Sequence, residues 1–199
     1  MISFINLNSS KPYNVFNDLY NNALDSQQEN IEAVCISSYD NQSNEVNSRY
    51  VNLKYVNNDK WVFFTNYESP KNQEFRTHSQ ISCVFFWHRI NTQIRIKAKV
   101  SKLDKESSDK HFSSRSEDKN ALAISSNQSK KIISYEQVVK NYKVVLSSGD
   151  NLFERPKYWG GYYFIPYHFE FWTGHDSRIN KREVFDKTHG IWKHSFLQP

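Results

Sequence analysis

Phe16, Leu19, Tyr20, Ala23 and Leu24 recur at i, i+3, i+4, i+7 and i+8, the apolar stripe of an amphipathic helix over Tyr13–Asp25. Before it, residues 1–12 carry Asn, Ser and Pro and read as a loose arm. After it come short strand-like runs at Ala33–Ser38, Ser48–Tyr55 and Lys60–Thr65. The turn-forming runs YDNQSNE and VNNDK separate them, as in an antiparallel meander. Ser69-Pro70-Lys71 has the form of a helix start, Ser at the N-cap and Pro in the first turn, for a helix ending near Thr77. Ile81–Trp87 is apolar on both faces and reads as a central strand. Thr92–Leu103 alternates cleanly, Ile94, Ile96, Ala98 and Val100 on one face and Gln93, Arg95, Lys97 and Lys99 on the other.

Asp104 can cap a helix to about Ser114, a second short helix covers Asp118–Ser125, and Ser134-x-x-Gln137 has capping-box spacing for a helix to about Leu146. A loop over Ser147–Arg155 then leads to a strand at Tyr162–Trp172. Thr173-Gly174 turns the chain into a polar run bearing Arg178, Lys181 and Arg182, read as a solvated basic loop, and a last strand covers Gly190–Phe196. Strands dominate and helices intervene singly. That pattern predicts a mainly β protein, an antiparallel barrel with peripheral helices, rather than a parallel α/β sheet. The division expected is an N-terminal arm and helix over 1–30 and a single domain over 31–199.

Composition narrows the chemistry. At 199 residues the chain is long enough for a real core, and with 16% aromatic residues Phe and Tyr must supply much of it. Five Gly and no GxGxxG or GxxxxGK[ST] remove the commonest phosphate-cradling loops. The net charge of +5 comes from 26 cations against 21 acids, a mixed surface that suits small anions and does not point to nucleic acid. No signal peptide or bilayer-length apolar run is seen, and Cys35 and Cys83 lie in strand-like runs as reduced thiols, so a cytoplasmic protein is expected. The histidines show no HxH or HExxH spacing, so no metal site is expected. No GxSxG elbow supports hydrolase chemistry.

Candidate ligand groups fall at strand ends and helix starts. Arg49 and Lys54 share one strand and, five apart, face different partners. Thr65, Ser69 and Lys71 surround a helix N-terminus, where free N–H groups favour an anion. Arg115 and Lys119 lie between two helices, and Gln128-Ser129 offers uncharged hydrogen bonds in a loop.

Taken in order, SRYVNLK (48–54), FFTNYESPKNQEF (63–75), QIRIKAKV (93–100), HFSSR (111–115), NQSKKI (127–132), RPKYWGGY (155–162) and FEFWTG…SRINKR (169–182) resemble the pyridoxine (pyridoxamine) 5′-phosphate oxidase family of split-barrel flavoproteins. The resemblance implies a homodimer binding FMN at the subunit interface. For the cofactor it implies Arg49, Tyr50, Val51, Asn52, Leu53 and Lys54 along the flavin, with Phe64, Thr65, Lys71, Gln93, Gln128, Ser129, Trp172 and Arg182 as further contacts. For the substrate it implies Lys54, His111, Arg115 and Lys119 at the phosphate, Arg178 over the pyridine ring as the catalytic residue, and Asn180 beside it.

The implied activity is oxidation of pyridoxine or pyridoxamine 5′-phosphate to pyridoxal 5′-phosphate, the flavin taking a hydride and passing electrons to O₂. Four positions depart from the family pattern: Pro70 for Arg, His111 for Tyr, Lys119 for Ser and Asn180 for His. The alternatives are a flavoenzyme of the same fold acting on another substrate, such as a phenazine precursor, or a non-catalytic flavin- or pyridoxal-phosphate-binding protein.

Overall fold

The helical stripe forms where its spacing places it. In the computed structural model, which describes residues 1–199, α1 spans Lys11–Asp25 and buries Tyr13, Phe16, Tyr20 and Ala23. The residues before it are ordered: β1 (Ser3–Leu7) runs parallel to the third strand, Ser3 opposite Tyr55, so the expected loose arm is a sheet edge. Nothing in SFINL distinguishes such a strand from a tail until a partner supplies the hydrogen bonds.

Strands β2 (Ala33–Asp40), β3 (Glu45–Asn58) and β4 (Lys60–Asn66) form the predicted meander. β5 (Gln80–Trp87) and β6 (Thr92–Lys102) follow, then β7 (Trp159–Thr173), β8 (Lys181–Thr188) and β9 (Ile191–Leu197). The hydrogen-bonded path β3–β2–β5–β6–β7 is closed by β4, which pairs with both β3 and β7, while β1, β8 and β9 extend it at the edges. The chain is thus mainly β, a strand ring with peripheral helices. Closure leaves the ring itself no free edge.

Two readings change here. Lys181–Thr188 is a strand, not a solvated loop. Its sequence lacks strict alternation, and pairing with β7 from His168–Asp186 to Thr173–Lys181 imposes its form. β5 lies between β2 and β6 as a central strand should, yet Phe86 is 56% exposed, so one of its apolar faces remains open within the protomer.

Aromatics fill the ring. Fully buried Trp61 packs its ring 4.4 Å from Phe16 and 5.7 Å from both Phe164 and Phe169. Truncating such a residue costs about 3–5 kcal/mol, because the surroundings only partly collapse into the void.

The helices that frame the site are α2 (Pro70–Thr77), α3 (Lys105–Ser113), α4 (Glu117–Ser125) and α5 (Tyr135–Ser148). Asp104 caps α3 as predicted, accepting from the Ser107 N–H at 2.7 Å. At α5 only half of the capping box forms. Ser134 Oγ accepts from the Gln137 N–H, while the Gln137 side chain donates instead to Asn141. Gly161 lets α3 close on β7: its N–H donates to Ser108 Oγ at 3.2 Å, and a Cβ there would meet Leu103 Cδ2 at 2.5 Å.

Candidate functional site

Two cavities open beside the β3–β4 hairpin and share Phe64, Thr65 and Gln128 as a common wall. The inner one, of about 680 Å³, lies between the first half of β3 and the start of α2. Arg49 reaches in from β3, and its Nη2 donates to Glu74 at 2.7 Å. Glu74 is buried on α2 and also accepts from Ser38 and Asn47, so this acid is wholly engaged in holding Arg49 and its neighbours.

Lys71 is different. It is buried, yet its Nζ donates only to Thr65 Oγ1 at 3.2 Å and Ser69 Oγ at 2.8 Å, and it forms no ion pair. Burial, with Arg49 nearby, pushes its pKa down to about 8, against a partial pull upward from Glu74. Ser69, at the N-cap position, makes no side-chain cap: its hydroxyl donates to the Asn66 carbonyl while accepting from Lys71. The start of α2 is thereby turned into a cation seat with hydroxyl walls. Gln128 completes the wall, its Oε1 accepting from Thr65 Oγ1 and the Asn66 N–H.

The outer cavity, of about 730 Å³, is lined by Lys54, His111, Arg115 and Lys119. A β-bulge between Leu53 and Tyr55 interrupts the β3–β4 register where Lys54 enters. Its Nζ lies 3.8 Å from Glu32. The Arg115 guanidinium sits over the Trp159 ring at 4.4 Å, and Nη2 donates to the Lys119 carbonyl at 2.8 Å. Its Nη1 is buried with no partner. A buried guanidinium donor left unpaired is costly unless a ligand meets it.

His111 lies flat on Phe64, ring centroids 3.7 Å apart, and its Nδ1 is 2.7 Å from the Tyr55 hydroxyl. Burial, aided by Arg115, Lys54 and Lys119, pushes its pKa down to about 4, so the imidazole is neutral at neutral pH.

The structure therefore brings together Arg49, Tyr50, Val51, Phe64, Thr65, Lys71, Gln128 and Ser129 in one cavity, and Asn52, Lys54, His111, Arg115 and Lys119 in the other. Leu53, between the two groups, points into the core, and its N–H is taken by the Glu32 carbonyl at 2.9 Å. The remaining residues implied by the resemblance lie outside both cavities. Gln93, Trp172 and Arg182 form one row across β6, β7 and β8 by direct pairing. Arg178 sits in a tight turn closed by its own N–H to the His175 carbonyl, and Asn180 Oδ1 accepts from the His175 N–H.

Sequence reasoning passed over Glu32, Asn66, Glu74 and Trp159, all of which line a cavity. Asn66, Glu74 and Trp159 stand inside motifs that carry the resemblance and could have been found there. The two acids carried no spacing signal, since each meets its cation only through the fold.

Comparison with known proteins supplies the family. The family described as pyridoxamine 5′-phosphate oxidase matches residues 21–147. The pyridoxine 5′-phosphate oxidase C-terminal dimerisation region matches 159–199, which supports a homodimer. A pyridoxine/pyridoxamine 5′-phosphate oxidase from Hydrogenovibrio crunogenus is 32% identical over 94% of this chain and 88% of its own. One from Haemophilus influenzae is 34% identical over 94% of this chain and 89% of its own. Among solved structures, PhzG from Burkholderia lata superposes with a TM-score of 0.89 at 23% identity, covering 96% of this chain and 93% of its own. An FMN-binding protein from Nostoc punctiforme superposes at 0.79 with 10% identity, covering 96% of this chain and 100% of its own. At those identities the two structures speak for the fold.

Proposed function

The chain belongs to the pyridoxamine 5′-phosphate oxidase family, and we propose that it works in the cytoplasm as an FMN-dependent oxidase. Pyridoxine 5′-phosphate or pyridoxamine 5′-phosphate would be converted to pyridoxal 5′-phosphate, with O₂ as electron acceptor. The observation that carries this reading is the pair of cavities on one wall, each holding a cation left without an acid: Lys71 in one, Arg115 in the other. Two such seats suit two phosphate esters, one on a cofactor and one on a substrate.

The donor set fits the flavin phosphate. Lys71 presents a buried charge among hydroxyls, and Arg49 is held beside it by Glu74, so charge and hydrogen bonds converge at the start of α2. Bound FMN would supply the hydride acceptor and the route to O₂.

The chain's own work is then binding and orientation. Arg49 and Lys71 hold the cofactor phosphate, with Thr65, Gln128 and Ser129 as neutral partners and strand residues 50–54 alongside. Lys54, His111, Arg115 and Lys119 hold the substrate phosphate. Gln93, Trp172 and Arg182, with Arg178 and Asn180 in the neighbouring turn, complete the site from the second copy of the homodimer. Asn180 cannot titrate and His111 is neutral, so neither gives up a proton as a general acid at neutral pH.

The test is anaerobic. Pyridoxine 5′-phosphate added to the FMN-loaded protein should bleach the flavin's visible absorbance, and air should restore it. A flavin that stays yellow removes this substrate. Asn180 is occupied in bracing its own turn, so a panel that includes phenazine precursors then separates another oxidase of this fold from a binding protein.

A further inference from the structure

Tyr55 and His111 come from β3 and α3 and meet behind the outer cavity. The imidazole is constrained twice: one face lies on Phe64 at an interplanar angle of 10°, and Tyr55 stands edge-on to it at 89° with its hydroxyl 2.7 Å from Nδ1. Nδ1 is the only acceptor the chain offers that hydroxyl, and Nε2 has no partner within the chain. If Nδ1 carried the proton, it would donate to the phenol oxygen, and the phenol's own hydrogen would lack an acceptor. If Tyr55 donates, both groups at that contact are satisfied and the proton of the neutral ring stands on Nε2. Lys54, Arg115 and Lys119 surround this imidazole, so a donor there reinforces an anion seat where a lone pair would oppose it.

We propose that Tyr55 is a positioning residue that fixes His111 as its Nε2–H tautomer, so that an uncharged histidine donates a hydrogen bond to the phosphate of the substrate. The phosphate half rests on the function proposed above; the tautomer half does not. Unlike the three cations around it, such a donor adds a directed hydrogen bond without adding charge to the seat.

The test uses the FMN-loaded protein labelled with ¹⁵N-histidine, the His111 signals being assigned by their loss in His111→Gln. At neutral pH the wild type should show Nε2 protonated and Nδ1 bare. Tyr55→Phe should move His111 toward a mixture of tautomers and weaken inorganic phosphate, titrated by calorimetry, by about threefold to tenfold. In a His111→Tyr background, whose phenol is a donor in its own right, Tyr55→Phe should leave phosphate affinity unchanged. That silence separates positioning from a general loosening of the pocket. A wild type protonated on Nδ1, or a tautomer unmoved by Tyr55→Phe, overturns the proposal. A tautomer that moves while phosphate affinity does not overturns the phosphate half and, with it, the assignment of His111 to the substrate site.

Discussion

Arg49 and Arg182 are each held by a buried glutamate, yet the regions around them differ in whether a cation is left without an acid. Around Arg49, Glu74 is fully engaged, and Lys71 remains buried with hydroxyl partners only. Across the shared wall, Arg115 keeps an unmet donor. On the β6–β8 row, Glu170 takes both arginines: Arg95 donates to one of its oxygens at 2.8 Å and Arg182 Nε to the other at 2.9 Å. Each cavity thus keeps one cation that no acid pairs, whereas on the row Arg182 and its neighbour Arg95 are both paired. On the function proposed above, anion affinity would reside in the cavities, and the row with its turn would orient what the cavities hold. A buried or half-buried cation gains most from a ligand when the fold has left it no acid.

That contrast can be broken at three points. Arg178→Ala carries the largest expected effect, a loss of turnover on the order of a hundredfold with FMN still bound. Rapid kinetics with flavin absorbance reads both quantities, and loss of the cofactor would show that the turn and the cavities are not separate in function.

Lys71→Ala should weaken FMN by about thirtyfold, the worth of a charged hydrogen bond to phosphate, as read by quenching of FMN fluorescence. The wild type should lose FMN affinity in the same sense as pH rises through about 8, where Lys71 gives up its proton. The sign for the ligand-free fold is the reverse. Between pH 8 and the ordinary lysine value of 10.5 the unfolded chain binds the extra proton, so stability rises with pH across that window. An FMN affinity that stays flat through pH 8 would remove Lys71 from the phosphate seat.

The smallest effect has the opposite sign. Glu32 is the one acid at the outer cavity near Lys54. Glu32→Gln should tighten phosphate binding by about threefold, since a part-exposed pair at this distance is weak. Weaker binding in this variant would mean that Glu32 serves to place Lys54 rather than to compete for it.

How far the chain could be read without its fold varies from element to element. Thr92–Lys102 was plain, because strict alternation over a long strand admits only one pair of faces. The helix of Phe16 and Tyr20 was equally plain, because its stripe has the 3.6-residue period. Ser3–Leu7 and Lys181–Thr188 were not, since these edge strands draw their form from a partner's hydrogen bonds rather than from their own pattern. Among site residues, the cations could be named from motifs in order along the chain. The separation of Arg49 from Lys54 also followed from their spacing on one strand, but that Gln93, Trp172 and Arg182 share a row elsewhere depends on register.

The amino-acid order alone thus determined the β-rich class, the long amphipathic elements and which side chains carry charge or hydrogen bonds, since these follow from local period and residue type. Only the tertiary structure decided which of those charges are paired. Glu74 meets Arg49 across 25 residues, Glu170 meets Arg95 across 75, and Lys71 meets no acid at all. Pairing of charge is a property of distance in space. A one-dimensional pattern does not contain that distance until the ring of strands has closed.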